Sequence, residues 1–239
     1  MAFVDKFKMI GDVSPSYNVG RFIDVAPPDC VLWLPLYMLP GASFVSRDAY
    51  GHLATVMGAT WGPEGRTFDG IDDYINAGAA ASLDITDAIT LEIWIKLLAI
   101  PTGFGPDAIG KATDYTGYAL EVALTSGNIA GRFGGSAPAW GYTNAYTLIL
   151  NQWTHVVGTR DASYLRLFVD GAEVGSPVAT LYSMASNAAS VLMGKHYSQA
   201  SFLNAVIGEA RIYNRTLSVL EIQREYIEAK RRMPWLVGA

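Results

Sequence analysis

Hydrophobic and polar residues alternate along short segments of the chain, the pattern of half-buried β-strands. The clearest case is residues 89–96, where Ile89, Leu91, Ile93 and Ile95 share one face of an extended strand. Because this face is entirely aliphatic, we expect it to lie in a hydrophobic core.

A second alternating segment, residues 164–170, leads into the pair Asp170 and Gly171, which is typical of a type I′ hairpin turn. Further strand candidates lie at residues 31–37, 53–57, 66–68, 73–76, 118–124, 128–133, 154–159, 190–194 and 205–213. About a dozen short strands with glycine and proline between them predict an all-β sandwich of two antiparallel sheets.

The two ends of the chain differ from this body. Residues 1–29 place Phe3 and Phe7 at helical spacing before several glycines and prolines, which predicts an N-terminal arm. At the other end Ser218 and Glu221 match a helix capping box, and an apolar tail follows Pro234. The predicted organisation is an arm (1–29), a sandwich domain (30–217) and a C-terminal helix with its tail (218–239).

Composition narrows the function classes. The 239 residues carry a net charge of −5 with a sequence pI near 5.1, which gives no basic field for nucleic acid. The longest apolar run has ten residues and contains Pro35, whereas a membrane-spanning helix needs about 20. Asp5, Lys6 and Lys8 interrupt any signal-peptide core, so we expect synthesis in the cytoplasm without export by this segment. The single cysteine, Cys30, predicts a buried thiol.

Seven segments together resemble a known family. They are VLWLPLY (31–37), DAYGH (48–52), RTFDGIDDYI (66–75), ITLEIWIK (89–96), NQWTHVVGT (151–159), LRLFVDG (165–171) and GEARIYNRTLS (208–218). In this order they resemble a laminin-G-like domain of the concanavalin A-like lectin/glucanase superfamily, over about residues 30–222. The resemblance implies a jelly roll of two antiparallel sheets. It leaves the function open, because this fold serves lectins, adhesion modules, glycosidases and structural subunits.

Catalytic chemistry finds little support in the sequence. The resemblance to glucanases implies two glutamates flanking an aspartate on one strand, and no such motif occurs, since Glu92, Glu121, Glu173 and Glu209 stand singly. The histidines have no metal-type spacing, and His155 shares the parity of core positions, which predicts a hydrogen-bonded core histidine. We therefore expect a protein that is not an enzyme.

A glycan site would need exposed aromatic faces and a few polar groups. One loop-rich stretch offers Arg132, Trp140, Tyr142 and Asn144, and a second offers Tyr197. The alternative is that these aromatic residues cover the edge of the sandwich or contact another subunit.

The resemblance also implies a structural calcium ion. Asp48, Asp69 and Glu209 are the first candidate ligands, with Asp72 and Asp73 nearby in the same motif segments. The alternative is that the aspartates only form turns.

Three functions follow. The first is a non-catalytic structural or adhesion module on the surface of a virus particle or another large assembly, a homo-oligomer with Phe3, Phe7, Trp235 and Leu236 as anchors to protein partners. The second is a free-standing carbohydrate-binding lectin module. The third is a glycoside hydrolase with an unrecognised site.

Overall fold

A computed structural model of the chain describes residues 26–27, 29–102, 105–123, 126–136 and 139–238. Phe3, Phe7 and most of the predicted arm lie outside the described residues. None of the helices in these ranges has the length and apolar character of a membrane span.

The described residues form eighteen strands, one α-helix and three short 3-10 helices. The strands in chain order are β1 Cys30–Pro35, β2 Ser43–Val45, β3 Leu53–Met57, β4 Thr60–Gly62, β5 Gly65–Asp69, β6 Tyr74–Asn76, β7 Ile89–Leu97, β8 Asp107–Ala112, β9 Gly117–Val122, β10 Asn128–Ser136, β11 Ala139–Tyr142, β12 Tyr146–Thr147, β13 Trp153–Arg160, β14 Tyr164–Val169, β15 Ala172–Glu173, β16 Val178–Ala179, β17 Leu192–Met193 and β18 Asn204–Tyr213. The helix is α1, Val219–Arg232, and the 3-10 helices are Leu36–Met38, Ala81–Leu83 and Pro234–Gly238.

The strands pair into two antiparallel sheets, which confirms the predicted sandwich. Sheet A has the order β15-β14-β13-β7-β18-β5-β4, with β1 beside β18 and β16 beside β14. Sheet B has the order β11-β10-β9-β8-β17-β6-β3-β2, with β12 beside β10. Aliphatic side chains from both inner faces form one large core cluster.

Strand β7 shows how the alternating pattern becomes structure. Ile89, Leu91, Ile93 and Ile95 are fully buried in the core between the sheets, as predicted. The opposite face of β7 is also buried, since Trp94 is only 1 % exposed. That second buried face exists because the C-terminal helix packs across sheet A.

The predicted hairpin and helix cap are confirmed. Asp170 and Gly171 have φ values of 50° and 80°, the positive angles that a type I′ turn requires between β14 and β15. Ser218 accepts a hydrogen bond from the Glu221 amide, and the Glu221 carboxylate accepts one from the Ser218 amide. This reciprocal pair fixes the first residue of α1.

The apolar tail packs on its own chain, and the burial of Leu236 there corrects its interpretation as an anchor for a partner. Leu236 is 5 % exposed and packs with Trp94 and Met233 on the outer face of sheet A. Trp235 meets the ring of Tyr37 edge-on at 5.2 Å between centroids. A sequence pattern shows that a segment must be covered, but it does not show what covers it.

Charged residues lie buried between sheet A and α1. His155 is fully buried with its Nε2 2.9 Å from Glu92, which confirms the predicted hydrogen-bonded core histidine. Burial alone would raise the pKa of Glu92, but the bond from His155 and the charge of Arg211 lower it to about 2. Arg211 also pairs with Glu225 of α1 at the helix interface. These bonds tie the helix to the sheet.

Candidate functional site

The outer face of sheet B carries a compact group of polar and aromatic residues. In the β9–β10 register Arg132 stands opposite Ala119, and Glu121 stands opposite Ala130. The neighbouring positions, among them Leu120, belong to the core, so the alternation along these strands places Arg132 and Glu121 on the outer face.

Arg132 is held between two carboxylates. Its Nη2 donates to both oxygens of Asp107 at 3.0 and 3.3 Å, and its Nη1 lies 2.7 Å from Glu121. Asp107 and Glu121 are direct partners across β8 and β9. Arg132 is 4 % exposed and Asp107 is 1 % exposed, so the three charges form a nearly dry network in the floor of the site.

Aromatic rings cover this network. The guanidinium carbon of Arg132 lies 4.6 Å from the centroid of the Trp140 ring and 5.4 Å from that of Tyr197, within the range of cation–π attraction. Tyr142 is the strand partner of Arg132 on β11, so its side chain lies on the same face of the sheet. Tyr142 remains 45 % exposed, and Trp140 is half-buried.

A glycine provides the space in which Trp140 lies. Gly134 is the strand partner of Trp140, and a Cβ atom at Gly134 would stand 2.6 Å from Cε3 of the indole. The ring therefore packs directly onto the bare backbone of β10, with Ala119 and Ala130 as the other small residues of this floor. A larger residue at position 134 would displace the indole.

Asp114, in the loop between β8 and β9, fastens both rings. Its carbonyl accepts the indole Nε1–H of Trp140 at 3.0 Å, and its carboxylate accepts the hydroxyl of Tyr197 at 3.4 Å. His196 lies against Tyr197 with ring centroids 4.2 Å apart, and its Nδ1 accepts from the amides of Ser198 and Gln199. The rings are thus held by three separate segments of the chain.

Burial shifts the pKa values of the charged groups. Desolvation, partly offset by the charge of Arg132, raises the pKa of Asp107 to about 7. Desolvation also raises the pKa of Glu121, again against the opposing charge of Arg132. Arg132 keeps a raised pKa because the attraction of Asp107 and Glu121 outweighs its desolvation. Burial and the charge of Arg132 lower the pKa of His196 to about 4. Arg132 is therefore cationic and His196 neutral near pH 7.

Four of the five predicted ligand-binding residues, Arg132, Trp140, Tyr142 and Tyr197, lie in this cluster. The fifth, Asn144, does not: its amide nitrogen donates to the carbonyls of Val174 at 2.9 Å and Ser176 at 2.6 Å, and so holds the loop after β15. Both bonds of Asn144 go to a loop outside the cluster, so its role is in the fold.

Sequence reasoning missed Asp107, Asp114 and Glu121. Strand β8 was not predicted, because Gly110 and two alanines give it weak strand character, so Asp107 had no place on a sheet. The pairing of Asp107 with Glu121 also crosses a register shift in β8. The one local signal was Glu121 itself, a carboxylate at the end of an otherwise apolar strand.

The predicted calcium ligands separate in the structure. Glu209 is buried on the outer face of sheet A, where it pairs with Arg211 and Arg232. Asp48 accepts from the backbone amides of Trp33, Tyr50 and Gly51.

Asp69 is joined instead by Asp72 and Asp73, and ligand-type oxygens of these three lie within 4.8 Å of one another. One oxygen of Asp69 also accepts from the amides of Ile71 and Asp72, as in an ordinary aspartate turn. Three carboxylates are the hard donors that Ca²⁺ takes, so this loop fits calcium better than the set Asp48, Asp69 and Glu209.

The sequence profile of the laminin-G group in the concanavalin A-like lectin/glucanases superfamily matches residues 69–223. This chain belongs to that superfamily. The match includes every residue of the Arg132 cluster. No curated protein matches the chain in sequence.

Several solved structures have a fold similar to that of this superfamily member. The binding domain of Paraclostridial Mosquitocidal Protein 1 matches with a TM-score of 0.67 and 13% identity, over 84% of this chain and 52% of that one. Trypanosoma rangeli sialidase matches with a TM-score of 0.65 and 20% identity, over 87% and 34%. Domain 4 of an extracellular arabinanase from Geobacillus stearothermophilus, solved with arabinotriose, matches with a TM-score of 0.63 and 16% identity, over 82% and 97%.

At these identities the likeness shows the fold, and the chain spans about half of the first of these proteins and a third of the second. Of these three structures, one is a binding domain and one is a single domain in complex with an oligosaccharide.

Proposed function

We propose that this superfamily member is a non-catalytic carbohydrate-binding module and that the Arg132 cluster is its binding site. The observation that carries the proposal is that partly exposed aromatic rings cover the ion pairs of Arg132 with Asp107 and Glu121. Trp140, Tyr142 and Tyr197 offer apolar faces for the C–H surfaces of a sugar ring, and the Glu121 carboxylate and the Tyr142 hydroxyl offer hydrogen bonds to its hydroxyls.

The rigidity of the cluster favours binding. Arg132, Trp140 and Tyr142 project from paired strands, and Asp114 accepts hydrogen bonds from Trp140 and Tyr197, so little conformational freedom is lost when a ligand docks. The arabinanase domain with arabinotriose supports the proposal by showing that a domain of this architecture accompanies a carbohydrate ligand.

The geometry of the carboxylates argues against hydrolysis. A glycosidase needs one carboxyl group on the glycosidic oxygen and a second at the sugar or its attacking water. Asp107 is 1 % exposed and both its oxygens face Arg132, so it has no route to a substrate. Because Asp107 is enclosed, the two carboxylates cannot act together on a substrate, and their role is to position Arg132.

The test is a binding assay with a matched control. Arabinotriose and a panel of neutral and acidic oligosaccharides would be titrated into the full chain by calorimetry, beside Trp140→Ala and Trp61→Ala. Trp61 is a fair control because it is 46 % exposed and its indole N–H also donates to a backbone carbonyl, that of Tyr37 at 3.2 Å. We expect about tenfold weaker binding for Trp140→Ala only, the value of one lost ring contact. Absence of binding by the unmodified chain, or equal losses in both variants, would refute the proposal.

A position on a virus particle or another large assembly is a separate proposal, and so is oligomerisation. The C-terminal tail supports neither proposal, because Leu236 is buried within its own chain. A surface-adhesion role remains compatible with a glycan site, since a particle that grips a polysaccharide needs such a module. Light scattering of the full chain, with and without residues 1–29, tests the assembly role: an unchanged monomer in both would exclude it.

A further inference from the structure

The charge balance of the Arg132 cluster points to the class of sugar that it takes. An arginine below aromatic rings usually suggests a site for a carboxylate or phosphate, because the guanidinium matches those groups in shape and charge. In this structure the guanidinium is already occupied by the protein itself. Its Nη2 donates to Asp107 and its Nη1 pairs with Glu121.

The rest of the guanidinium is not open to a ligand anion either, because Arg132 is only 4 % exposed and lies below the rings of Trp140 and Tyr197. Nε is buried and has no hydrogen-bond partner within the described part of the chain. An acidic sugar would therefore have to displace Glu121, whose side chain is 20 % exposed, and leave that carboxylate without its cation.

The net charge around the rings is negative when Asp107 is ionised. Arg132 contributes one positive charge, while Asp107, Glu121 and Asp114 contribute carboxylates. Lys195 lies next in sequence to this group, but its ammonium lies over the rings of Tyr74 at 4.7 Å and Phe202 at 5.5 Å. No other lysine or arginine is paired with the three carboxylates in the ranges that the structure describes.

Hydroxyl groups suit this arrangement. The partly exposed carboxylate of Glu121 accepts hydrogen bonds from sugar hydroxyls, and the hydroxyl of Tyr142 can donate or accept. The rings of Trp140 and Tyr197 require an apolar face, which a neutral pyranose or furanose presents without a charge to desolvate.

Resting on the proposed function, we infer that the Arg132 cluster selects neutral oligosaccharides and discriminates against uronic and sialic acids. Glu121 is the residue that sets this selectivity. It is the more exposed of the two carboxylates that pair with Arg132, and the carboxylate of an acidic sugar would have to take its place.

The experiment compares matched pairs of ligands, such as galactotriose with trigalacturonic acid and lactose with sialyllactose, by calorimetry at pH 8 in low and high salt. We expect the neutral partner to bind at least about fivefold more tightly, with the gap narrowing in high salt because the repulsion is screened. An acidic partner that binds equally or more tightly would overturn the inference while leaving carbohydrate binding intact. Failure of every neutral and acidic ligand would refute carbohydrate binding itself.

A variant locates the discrimination. Glu121→Gln keeps a hydrogen-bonding side chain and removes the charge, so it should reduce the difference in affinity between the neutral and the acidic ligand of each pair. Glu173→Gln is the control, because Glu173 also pairs with an arginine, Arg166 at 3.1 Å, whose guanidinium lies over the ring of Tyr164. A gap that is unchanged in Glu121→Gln, or equally narrowed in Glu173→Gln, would contradict the role given to Glu121.

Discussion

Asp107 and Glu121 stand opposite each other on β8 and β9, and one guanidinium, that of Arg132, binds both carboxylates. Two carboxylates in so dry a place repel each other, and the cation between them removes that repulsion. The pair therefore fixes the position of Arg132 below the rings and depends on Arg132 for its own stability.

Removal of the cation should be costly. Arg132→Met leaves Asp107 and Glu121 without a partner, and we expect a loss of about 3 kcal/mol in the free energy of unfolding at pH 8. The loss should shrink at pH 5, where Asp107, with a pKa raised to about 7, is protonated. The triple variant with Asp107→Asn and Glu121→Gln should recover most of the stability. Urea denaturation of the unmodified chain, Arg132→Met and the triple variant measures these changes. A loss below about 1 kcal/mol for Arg132→Met at pH 8 would contradict the dependence of the two carboxylates on Arg132.

Gly134→Ala should weaken ligand binding by displacing the indole of Trp140. The new Cβ would stand 2.6 Å from the indole and 2.8 Å from the carbonyl of Tyr115, so both the ring and the backbone at Tyr115 must shift. Gly62→Ala is the control, since its Cβ would meet only the carbonyl of Gly65 at 3.9 Å. Calorimetry should show reduced affinity in the first variant alone, and unchanged affinity in Gly134→Ala would argue against Trp140 as a contact residue.

Ligand binding should weaken in acid through His196. Its pKa is lowered to about 4, whereas a histidine in the unfolded chain titrates near 6.5. The stabilisation from neutral His196 is therefore complete above about pH 6.5 and is lost as the pH falls through 4. Protonation of Nδ1 would break its bonds to the amides of Ser198 and Gln199 and release the segment that carries Tyr197.

The variant His196→Asn tests this pH dependence. Asparagine can accept the same two amides without titrating. Affinity measured from about pH 6 down to about pH 3.5 should fall near pH 4 for the unmodified chain and fall less for the variant. Parallel profiles would show that another group is responsible.

The tail should contribute to stability as a core element. Leu236→Ala removes a side chain that is 5 % exposed against Trp94 and Met233, and we expect a cost of about 2–3 kcal/mol. Leu220→Ala, on the exposed side of α1 at 77 % exposure, should cost less than about 0.5 kcal/mol. Thermal or urea unfolding compares them, and equal effects would mean that the tail does not dock on sheet A.

Calcium, if it binds, should act at Asp69, Asp72 and Asp73. Millimolar Ca²⁺ should raise the Tm of the chain, chelator should reverse the rise, and Asp69→Asn should abolish it. Asp161→Asn is the control, because Asp161 forms a similar turn with the amides of Ser163 and Tyr164. A Tm that does not respond to Ca²⁺ would exclude a structural ion in this loop.

Periodicity was sufficient for the fold where one face of a strand is aliphatic. Ile89, Leu91, Ile93 and Ile95 predicted β7, and Ser218 with Glu221 predicted the start of α1, because in each case the signal is local. Periodicity alone could not show that Leu236 returns to sheet A, since that contact depends on the path of the helix.

The cluster was predictable only in part for the same reason. Trp140, Tyr142 and Tyr197 stood out by residue type, but the network beneath them depends on strand pairing across a register shift that a single sequence does not reveal. Asp107 sits in a strand of small residues without alternating character. The aromatic cover of the site was thus visible in the sequence, and its charged floor was not.

The most direct test of the central claim uses the indole N–H signals of the six tryptophans in a ¹⁵N–¹H correlation spectrum. Neutral oligosaccharide, with arabinotriose first, would be titrated into the full chain after the Trp140 signal is assigned from the Trp140→Ala variant. The expected result is a saturable shift of the Trp140 signal while that of Trp61 stays in place. If no indole signal moves with any neutral or acidic oligosaccharide, or if Trp61 moves and Trp140 does not, the Arg132 cluster is not a carbohydrate-binding site.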